Sequence, residues 1–151
     1  MVTYESLDDL RAAAGTHLGW TDWIDITQER VNLFAEATGD HQWIHVDVER
    51  ANAESPFGGP IAHGYLTLAL SNLFLPQLIA VPAASAGVNY GTGKVRFPSP
   101  VPVGSRVRGG AEIAAVEEIT GGLQTTITIT IQVEGNDKPA CVIESISRWL
   151  A

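Results

Sequence analysis

Residues 61–80 read IAHGYLTLALSNLFLPQLIA, the most apolar stretch of the chain. Its leucines recur at helical spacing, which predicts a long helix from about residue 64 to residue 75. His63 and Pro76 interrupt the stretch, so we do not expect it to cross a membrane. A helix this apolar needs a covering layer, and we expect it to be almost fully buried.

The covering layer is predicted downstream, where the hydrophobic pattern changes to a period of two. Residues 126–133 read TITITIQV, the alternation of a strand with one buried face. Early helices followed by consecutive strands indicate an α+β domain, with an antiparallel sheet curled about one buried helix. Further strands are predicted at 85–90, 94–97, 107–115 and 141–150, with turns at 121–122 and 136–137.

Two helices are predicted before the apolar stretch. Ser6 can cap one that runs to about Ala14, and Thr27 can cap the second. Gly39 is well placed to end the second helix in a left-handed conformation. Residues from Asp40 onward should therefore be loop.

The composition indicates one intracellular domain. A chain of 151 residues with 45% hydrophobic content can fill one core, so we expect a single domain over residues 1–151. The first residues are acidic and show no secretory signal, which favours the cytoplasm. The single cysteine, Cys141, excludes an intramolecular disulfide and a multi-cysteine zinc site, and its strand pattern is typical of a small buried hydrophobe.

The charge distribution argues against nucleic acid as a partner. Formal net charge is −8, with 17 acidic residues against 9 Lys plus Arg, so the chain as a whole would repel a phosphate backbone. Four of the nine positive charges nevertheless fall within fifteen positions. They form either a local anion site or solvated strand faces. These residues are Lys94, Arg96, Arg106 and Arg108.

Asp40 and His45 could act together on one water molecule. Five positions apart, they would lie on different sides of a continuous helix. Because Gly39 is expected to end the helix, the intervening loop can fold back and bring the two side chains together. A carboxylate and an imidazole can then remove one proton and deliver another near neutral pH. The residues alone equally allow Asp40 as a turn residue and His45 as a partly buried ring.

Metal binding is a weaker interpretation of the same histidines. His41 and His45 form H-x-x-x-H next to Asp40, and His63 could complete a ligand set. That spacing suits zinc on a helix, where both rings face one side. The expected helix end at Gly39 argues against it, and we expect no metal.

Gly64 lies near the predicted start of the apolar helix. Backbone N–H groups there have no helical partner, and the helix dipole is positive. A glycine lets an oxyanion approach such an N–H closely. The alternative is a glycine kept for the geometry of a helix start.

A family resemblance bears on these alternatives. Residues 34–45 read FAEATGDHQWIH and resemble the hydratase signature of the MaoC-like dehydratases, the R-specific enoyl-CoA hydratases. Residues 60–66, PIAHGYL, resemble the entry to that family's central helix. Residues 94–104 resemble its following strand and turn. The likeness runs from about Trp20 to the C-terminus, and Gln42-Trp43 replaces the family's usual Asn-Pro.

The resemblance implies a fold and an activity. The fold would be a hotdog, a curved antiparallel sheet around a long central helix, usually paired into a homodimer. The reaction would be hydration of trans-2-enoyl-CoA to 3-hydroxyacyl-CoA in fatty acid metabolism, without a cofactor. The alternatives are a hotdog acyl-CoA thioesterase, which would release free thiol, and a non-catalytic acyl-thioester-binding subunit.

The resemblance also implies residue roles. Asp40 and His45 would activate the water, with Asp40 as base and His45 as acid, or the reverse. The N–H of Gly64 would bind the thioester oxygen, with His63 and Gln42 as further substrate-binding residues. The basic residues between positions 94 and 108 would contact the phosphates of CoA.

Overall fold

A computed structural model describes all residues from 1 to 151. The helices, in chain order, are α1 (Leu7–Arg11), α2 (Gln28–Thr38), α3 (Trp43–Val46), α4 (Val48–Glu54), α5 (Gly64–Ala69) and α6 (Ser71–Leu78). The strands are β1 (Val2–Thr3), β2 (His17–Trp20), β3 (Ile24–Asp25), β4 (Ile79–Ala80), β5 (Ala86–Arg96), β6 (Arg106–Ile119), β7 (Gly122–Val133) and β8 (Cys141–Leu150).

The main sheet follows the predicted antiparallel pattern. Its strand order is β2-β6-β7-β8-β5, and β3 also pairs with β6. Strand β7 lies in the middle, and its residues alternate between buried and half-buried along the whole strand. The predicted hairpin turn is present, with Gly121 at φ 82° between β6 and β7. Strands β1 and β4 form a separate parallel pair.

The central helix consists of α5 and α6, which meet at Leu70. The backbone of Leu70 stays in the right-handed helical region, so the two segments form one slightly irregular helix. Its buried side carries Leu66, Phe74 and Leu78 as well as Leu70. Phe74 packs directly on Gly109 of β6, where a Cβ atom would lie 2.7 Å from the Phe74 side chain. The helix can therefore approach β6 closely here because Gly109 has no side chain.

The prediction that this helix is almost fully buried is wrong for the single chain. Tyr65 and Leu73 of this helix are 72% and 41% exposed. Strand β5 is open as well, and its Tyr90 is 57% exposed. The physical reason is that a single curved sheet covers one side of a helix and supplies no second layer.

Several element boundaries differ from the prediction. Helix α1 ends at Arg11 and not near Ala14, because the backbone leaves the helical path at Ala12 (φ −87°, ψ 4°). The two strand candidates at 85–90 and 94–97 form one long strand, β5, whose pairing with β8 shifts register twice. Such bulges let one strand bend without ending, which the sequence pattern does not reveal.

Helix α4 was not predicted. Its N-cap, Asp47, accepts a hydrogen bond from the backbone N–H of Arg50 at 3.0 Å. The aspartate followed by Glu49 was the available sequence signal. None of the six helices combines the length and the apolar character that crossing a membrane would need.

Candidate active site

The turn after α2 brings Asp40 back toward the central helix. Gly39 ends α2 in the predicted left-handed conformation, with φ 81° and ψ 4°. The Asp40 carboxylate then accepts a hydrogen bond from the backbone N–H of Gln42 at 3.3 Å, which tightens the turn. The following residues were predicted as loop, but α3 forms a single helical turn that includes His45. Polar atoms of Asp40, His45 and His63 all lie within 4.8 Å of one another.

His45 is buried and held in one tautomer. Its Nδ1 lies 2.7 Å from the backbone oxygen of Ile61. A carbonyl oxygen only accepts, so Nδ1 carries the hydrogen and the lone pair of the neutral ring lies on Nε2. Burial lowers the pKa of His45, and the neighbouring His63 acts in the same direction. The Ile61 carbonyl and the Asp40 carboxylate raise the pKa of His45, but burial outweighs them.

A glutamine that sequence reasoning missed supports this arrangement. The side-chain amide of Gln28 donates to the backbone oxygen of His45 at 2.7 Å and to Asn32 Oδ1 at 2.9 Å. It thereby ties α3 to the first turn of α2. No sequence signal identifies this contact, since the partners are 17 positions apart. The Oε1 atom of Gln28 is buried and has no hydrogen-bond partner within the chain.

His63 fastens the Asp40 turn to the start of the central helix. It is 2% exposed, and its Nε2 lies 3.0 Å from the backbone oxygen of Asp40, to which it donates. Its ring stacks on His45 with centroids 4.0 Å apart and contacts Phe34 at 4.9 Å. The sequence placed His63 among the substrate-binding residues, but its Nε2 is used within the chain. Its Nδ1 is buried and has no partner there.

The geometry of the three side chains does not suit a metal ion. A metal lies in the plane of each imidazole ligand, along a nitrogen lone pair. The rings of His45 and His63 are stacked with only 26° between their planes, so their lone pairs do not converge on one point. His41 is separate from this cluster, with its Nε2 3.5 Å from the carboxylate of Glu36.

Gly64 is the first residue of α5, directly after His63. Its N–H therefore has no acceptor within the helix. A Cβ atom at this position would lie 3.5 Å from the ring of Phe97, an ordinary contact. Gly64, Thr67 and Phe97 line a pocket of about 280 Å³. Gln42, in the turn that follows Asp40, is exposed.

The four basic residues do not form one group. Lys94 and Arg96 lie on β5, whereas Arg106 and Arg108 lie on β6. Strands β7 and β8 separate them, a distance of about 14 Å at roughly 4.8 Å per strand. Proximity in sequence was misleading because the two strands are consecutive in the chain but not neighbours in the sheet.

The two pairs also differ in their contacts. Arg106 forms a two-point ion pair with Glu134. The guanidinium of Arg108 lies between the indoles of Trp20 and Trp23, 4.6 Å and 4.5 Å from the ring centroids. It also donates to the side-chain oxygen of Gln132. Lys94 and Arg96 are exposed and take part in no ion pair.

Structural comparison identifies the architecture. An R-hydratase of Pseudomonas aeruginosa in its unliganded form superposes with a TM-score of 0.74 at 21% identity, covering 91% of this chain and 81% of the hydratase. The (R)-hydratase of A. caviae gives a TM-score of 0.74 at 24% identity, covering 90% of this chain and 96% of the hydratase. The predicted hotdog fold is confirmed.

Sequence comparison identifies the family. The family model described as "MaoC like domain" matches residues 9–135. The 3-hydroxyacyl-thioester dehydratase Z of Mycobacterium tuberculosis is 57% identical over 152 aligned residues, covering 100% of both chains. Nodulation protein N of Rhizobium meliloti is 45% identical, covering 97% of this chain and 89% of its own length. The chain therefore belongs to the MaoC-like dehydratase family.

Proposed function

We propose that the protein is a 3-hydroxyacyl-thioester dehydratase, an R-specific enoyl-CoA hydratase of fatty acid metabolism. It adds water to trans-2-enoyl-CoA and, in reverse, removes water from 3-hydroxyacyl-CoA. The observation that carries the proposal is the convergence of Asp40 and His45 on His63, the residue directly before Gly64, in a chain 57% identical to a dehydratase over its full length.

His45 is the base in this mechanism. Its Nδ1–H is engaged by the Ile61 carbonyl, which leaves the Nε2 lone pair to accept a proton. Because burial lowers the pKa of His45, the ring is neutral near neutral pH and ready to act as a base. These features favour the second of the two role divisions left open by the sequence, in which His45 and not Asp40 takes the proton of the water.

Asp40 orients the water and stabilises the charge that His45 acquires. One carboxylate oxygen of Asp40 lies within 4.8 Å of a ring nitrogen of His45, and the carboxylate can accept a hydrogen bond from the second O–H of the water. An imidazolium formed on His45 gains a favourable interaction with this carboxylate. The hydrogen bond from His63 to the Asp40 backbone holds the carboxylate in place.

The reaction needs no proton donor other than the water molecule and His45. The water oxygen bonds to the β-carbon while one water proton passes to Nε2 of His45. Electron density moves from the double bond toward the α-carbon and the thioester oxygen, where the N–H of Gly64 stabilises it. The same proton then passes from His45 to the α-carbon. Both hydrogens of the water end in the product, and His45 returns to its neutral form.

Replacement of either catalytic residue should nearly abolish hydration. We expect Asp40→Asn and His45→Gln each to lower kcat by about 10²- to 10⁴-fold, the usual cost of losing acid–base catalysis. In the wild type, kcat/KM should fall only below about pH 6.5, the ordinary histidine value, because burial lowers the pKa of His45. In Asp40→Asn this acid limb should move lower still, because the carboxylate raises that pKa.

The loss of enoyl-CoA absorbance measures the rate, and thermal unfolding checks folding. Glu36→Gln is the matched control, since it removes an exposed carboxylate close to Asp40 in sequence. Free thiol release from a saturated acyl-CoA would instead identify a thioesterase. A folded Asp40→Asn protein that hydrates enoyl-CoA at the wild-type rate would contradict the assignment.

A proline at position 64 should remove the oxyanion donor without breaking the helix. Proline is favoured at the first helical position, and His63 has the extended backbone (φ −59°, ψ 140°) required before a proline. We expect Gly64→Pro to fold and to lose about 10²- to 10³-fold in kcat. Gly64→Ala keeps the N–H and should retain most activity. Equal kcat values for the two variants would exclude the Gly64 N–H from the mechanism.

Lys94 and Arg96 are the candidates for contacts with the CoA phosphates. Both are exposed and unpaired, and β5 leads directly into Phe97, whose ring lies against Gly64. Arg106 and Arg108, by contrast, have their guanidinium groups engaged. Lys94 and Arg96 therefore have free charged groups that can bind the CoA phosphates, whereas Arg106 and Arg108 do not.

The double variant Lys94→Ala/Arg96→Ala should raise KM for enoyl-CoA several-fold with a smaller effect on kcat, and the effect should grow at low salt. The matching N-acetylcysteamine thioester, which lacks the phosphates, should react equally well with both proteins. Arg106→Ala is the control. An unchanged KM in the double variant would make Lys94 and Arg96 ordinary solvated charges.

We further propose a homodimer that pairs the open side of α5, α6 and β5. Strand β5 has eleven residues, and its second edge pairs with no other strand. A long open edge beside exposed apolar side chains is unfavourable in an isolated chain. A second copy would cover this edge and the exposed apolar side chains beside it, which include Tyr65, Leu73 and Phe97.

The double variant Tyr65→Glu/Leu73→Glu should be monomeric at concentrations where the wild type sediments as a dimer, because charge would replace buried apolar contacts. Leu33→Glu is the control, since Leu33 is 64% exposed on α2. Analytical ultracentrifugation makes the comparison. A wild-type monomer would end the dimer proposal. We also propose that the enzyme is cytoplasmic, which cell fractionation tests.

A further inference from the structure

A groove runs beside the central helix, away from the catalytic cluster. Its main pocket, of about 340 Å³, lies between α6 and strands β5 and β8 and ends at Trp149. It shares Ser71, Asn72, Asn89 and Ser145 with a second pocket of about 240 Å³ that extends to Tyr65. The groove therefore follows the helix from its first turns to Trp149.

The sheet wall of this groove is unusually polar for a buried surface. Most other inward-facing residues of β7 and β8 are aliphatic, such as Ile129 and Ile143. At the groove they carry Ser145 and Ser147, each 8% exposed. Neither hydroxyl has a hydrogen-bond partner within the chain, and neither is sealed from solvent, so both open into the pocket.

Helix α6 and strand β5 contribute further polar side chains to the pocket. Ser71 and Asn72 of α6 and Asn89 of β5 line the same pocket. Leu75 and Trp149 supply the apolar surface around them. A mostly apolar pocket with a few convergent polar groups is the usual form of a small-molecule site, in which the polar groups fix the orientation of the ligand.

Trp149 forms a rigid end wall. Its Nε1–H donates to Oγ1 of the fully buried Thr125 at 3.0 Å. Its ring packs on Gly87, where a Cβ atom would lie 3.0 Å away. Because one side of the indole is hydrogen-bonded and the other is packed, the wall cannot move aside easily for a longer ligand.

A plain hydrocarbon chain fits these walls poorly. It would displace water from the Ser145 and Ser147 hydroxyls and offer no hydrogen bond in return, which costs free energy for each group left unpaired. A hydroxyl or carbonyl oxygen on the chain would satisfy them. At 1.5 Å per helical residue, Asn72 lies about 12 Å beyond Gly64, a distance that an extended acyl chain of about ten carbons spans.

We infer that this pocket selects acyl thioesters whose chain carries a hydroxyl or carbonyl oxygen about ten carbons from the thioester. The inference rests on the proposed function, with the thioester at Gly64. Ser145 and Ser147 are the residues that determine this specificity, and Trp149 limits the length of chain beyond the oxygen.

Three substrates test the inference. A twelve-carbon trans-2-enoyl-CoA is compared with the same molecule bearing a hydroxyl on carbon ten, and trans-2-butenoyl-CoA is too short to reach the pocket. Wild-type kcat/KM should be about 10-fold higher for the hydroxylated chain than for the plain one, the equivalent of about 1.4 kcal/mol. Ser145→Ala/Ser147→Ala should remove this preference and leave hydration of the butenoyl substrate unchanged.

Thr126→Val is the matched control. It removes a hydroxyl from β7 on the opposite face of the sheet, so the preference should remain. Isothermal titration with the two saturated twelve-carbon acyl-CoAs measures the same preference as binding, independently of turnover.

The outcomes are distinct. The inference would be overturned if the wild type showed equal kcat/KM and equal affinity for the plain and hydroxylated chains. The groove would then be filled by ordered water or covered by a second copy of the chain. A serine double variant that loses the butenoyl activity as well would show a structural role for the serines and also overturn it. Absence of hydration for all three substrates in the wild type would refute the proposed function, whereas the titration would still decide the pocket.

Discussion

The packing of one apolar helix face against one curved sheet underlies the rest of the structure. Leu66, Leu70, Phe74 and Leu78 all point toward the strands, and Phe74 occupies space that Gly109 leaves free. Complete burial of each such side chain contributes about 1.5–3 kcal/mol, against a net stability of about 5–15 kcal/mol for a typical domain. This contact therefore fixes where the helix lies, and with it the position of the helix start.

The geometry of the candidate active site follows from that fixed helix start. His63 is the last residue before α5, and through it the helix start holds the Asp40 backbone and the ring of His45. The N–H of Gly64 lies one residue further on. The Asp40 carboxylate, the His45 imidazole and the N–H that we propose as the oxyanion donor are therefore all held by the start of this helix. Segments that are 23 positions apart in sequence act as a unit because a buried ring connects them.

The same packing leaves the opposite side of the helix open. A single sheet covers one face, so the other face and the edge strand β5 must meet a ligand, a second copy or water. The groove toward Trp149 lies along this boundary, where inward-facing side chains change from aliphatic to hydroxylated.

The sequence by itself determined most of the helices and strands and indicated a candidate catalytic pair. The period-two pattern of residues 126–133 predicted β7, and Gly39 predicted the end of α2, because both signals are local properties of the backbone. The family motif indicated Asp40 and His45. Only the tertiary structure decided how these parts meet. The tautomer of His45, its lowered pKa and the hydrogen bond from His63 depend on contacts between distant segments. Strand order likewise separated Lys94 from Arg106, since neighbours in a sheet are chosen by long-range pairing and not by distance along the chain.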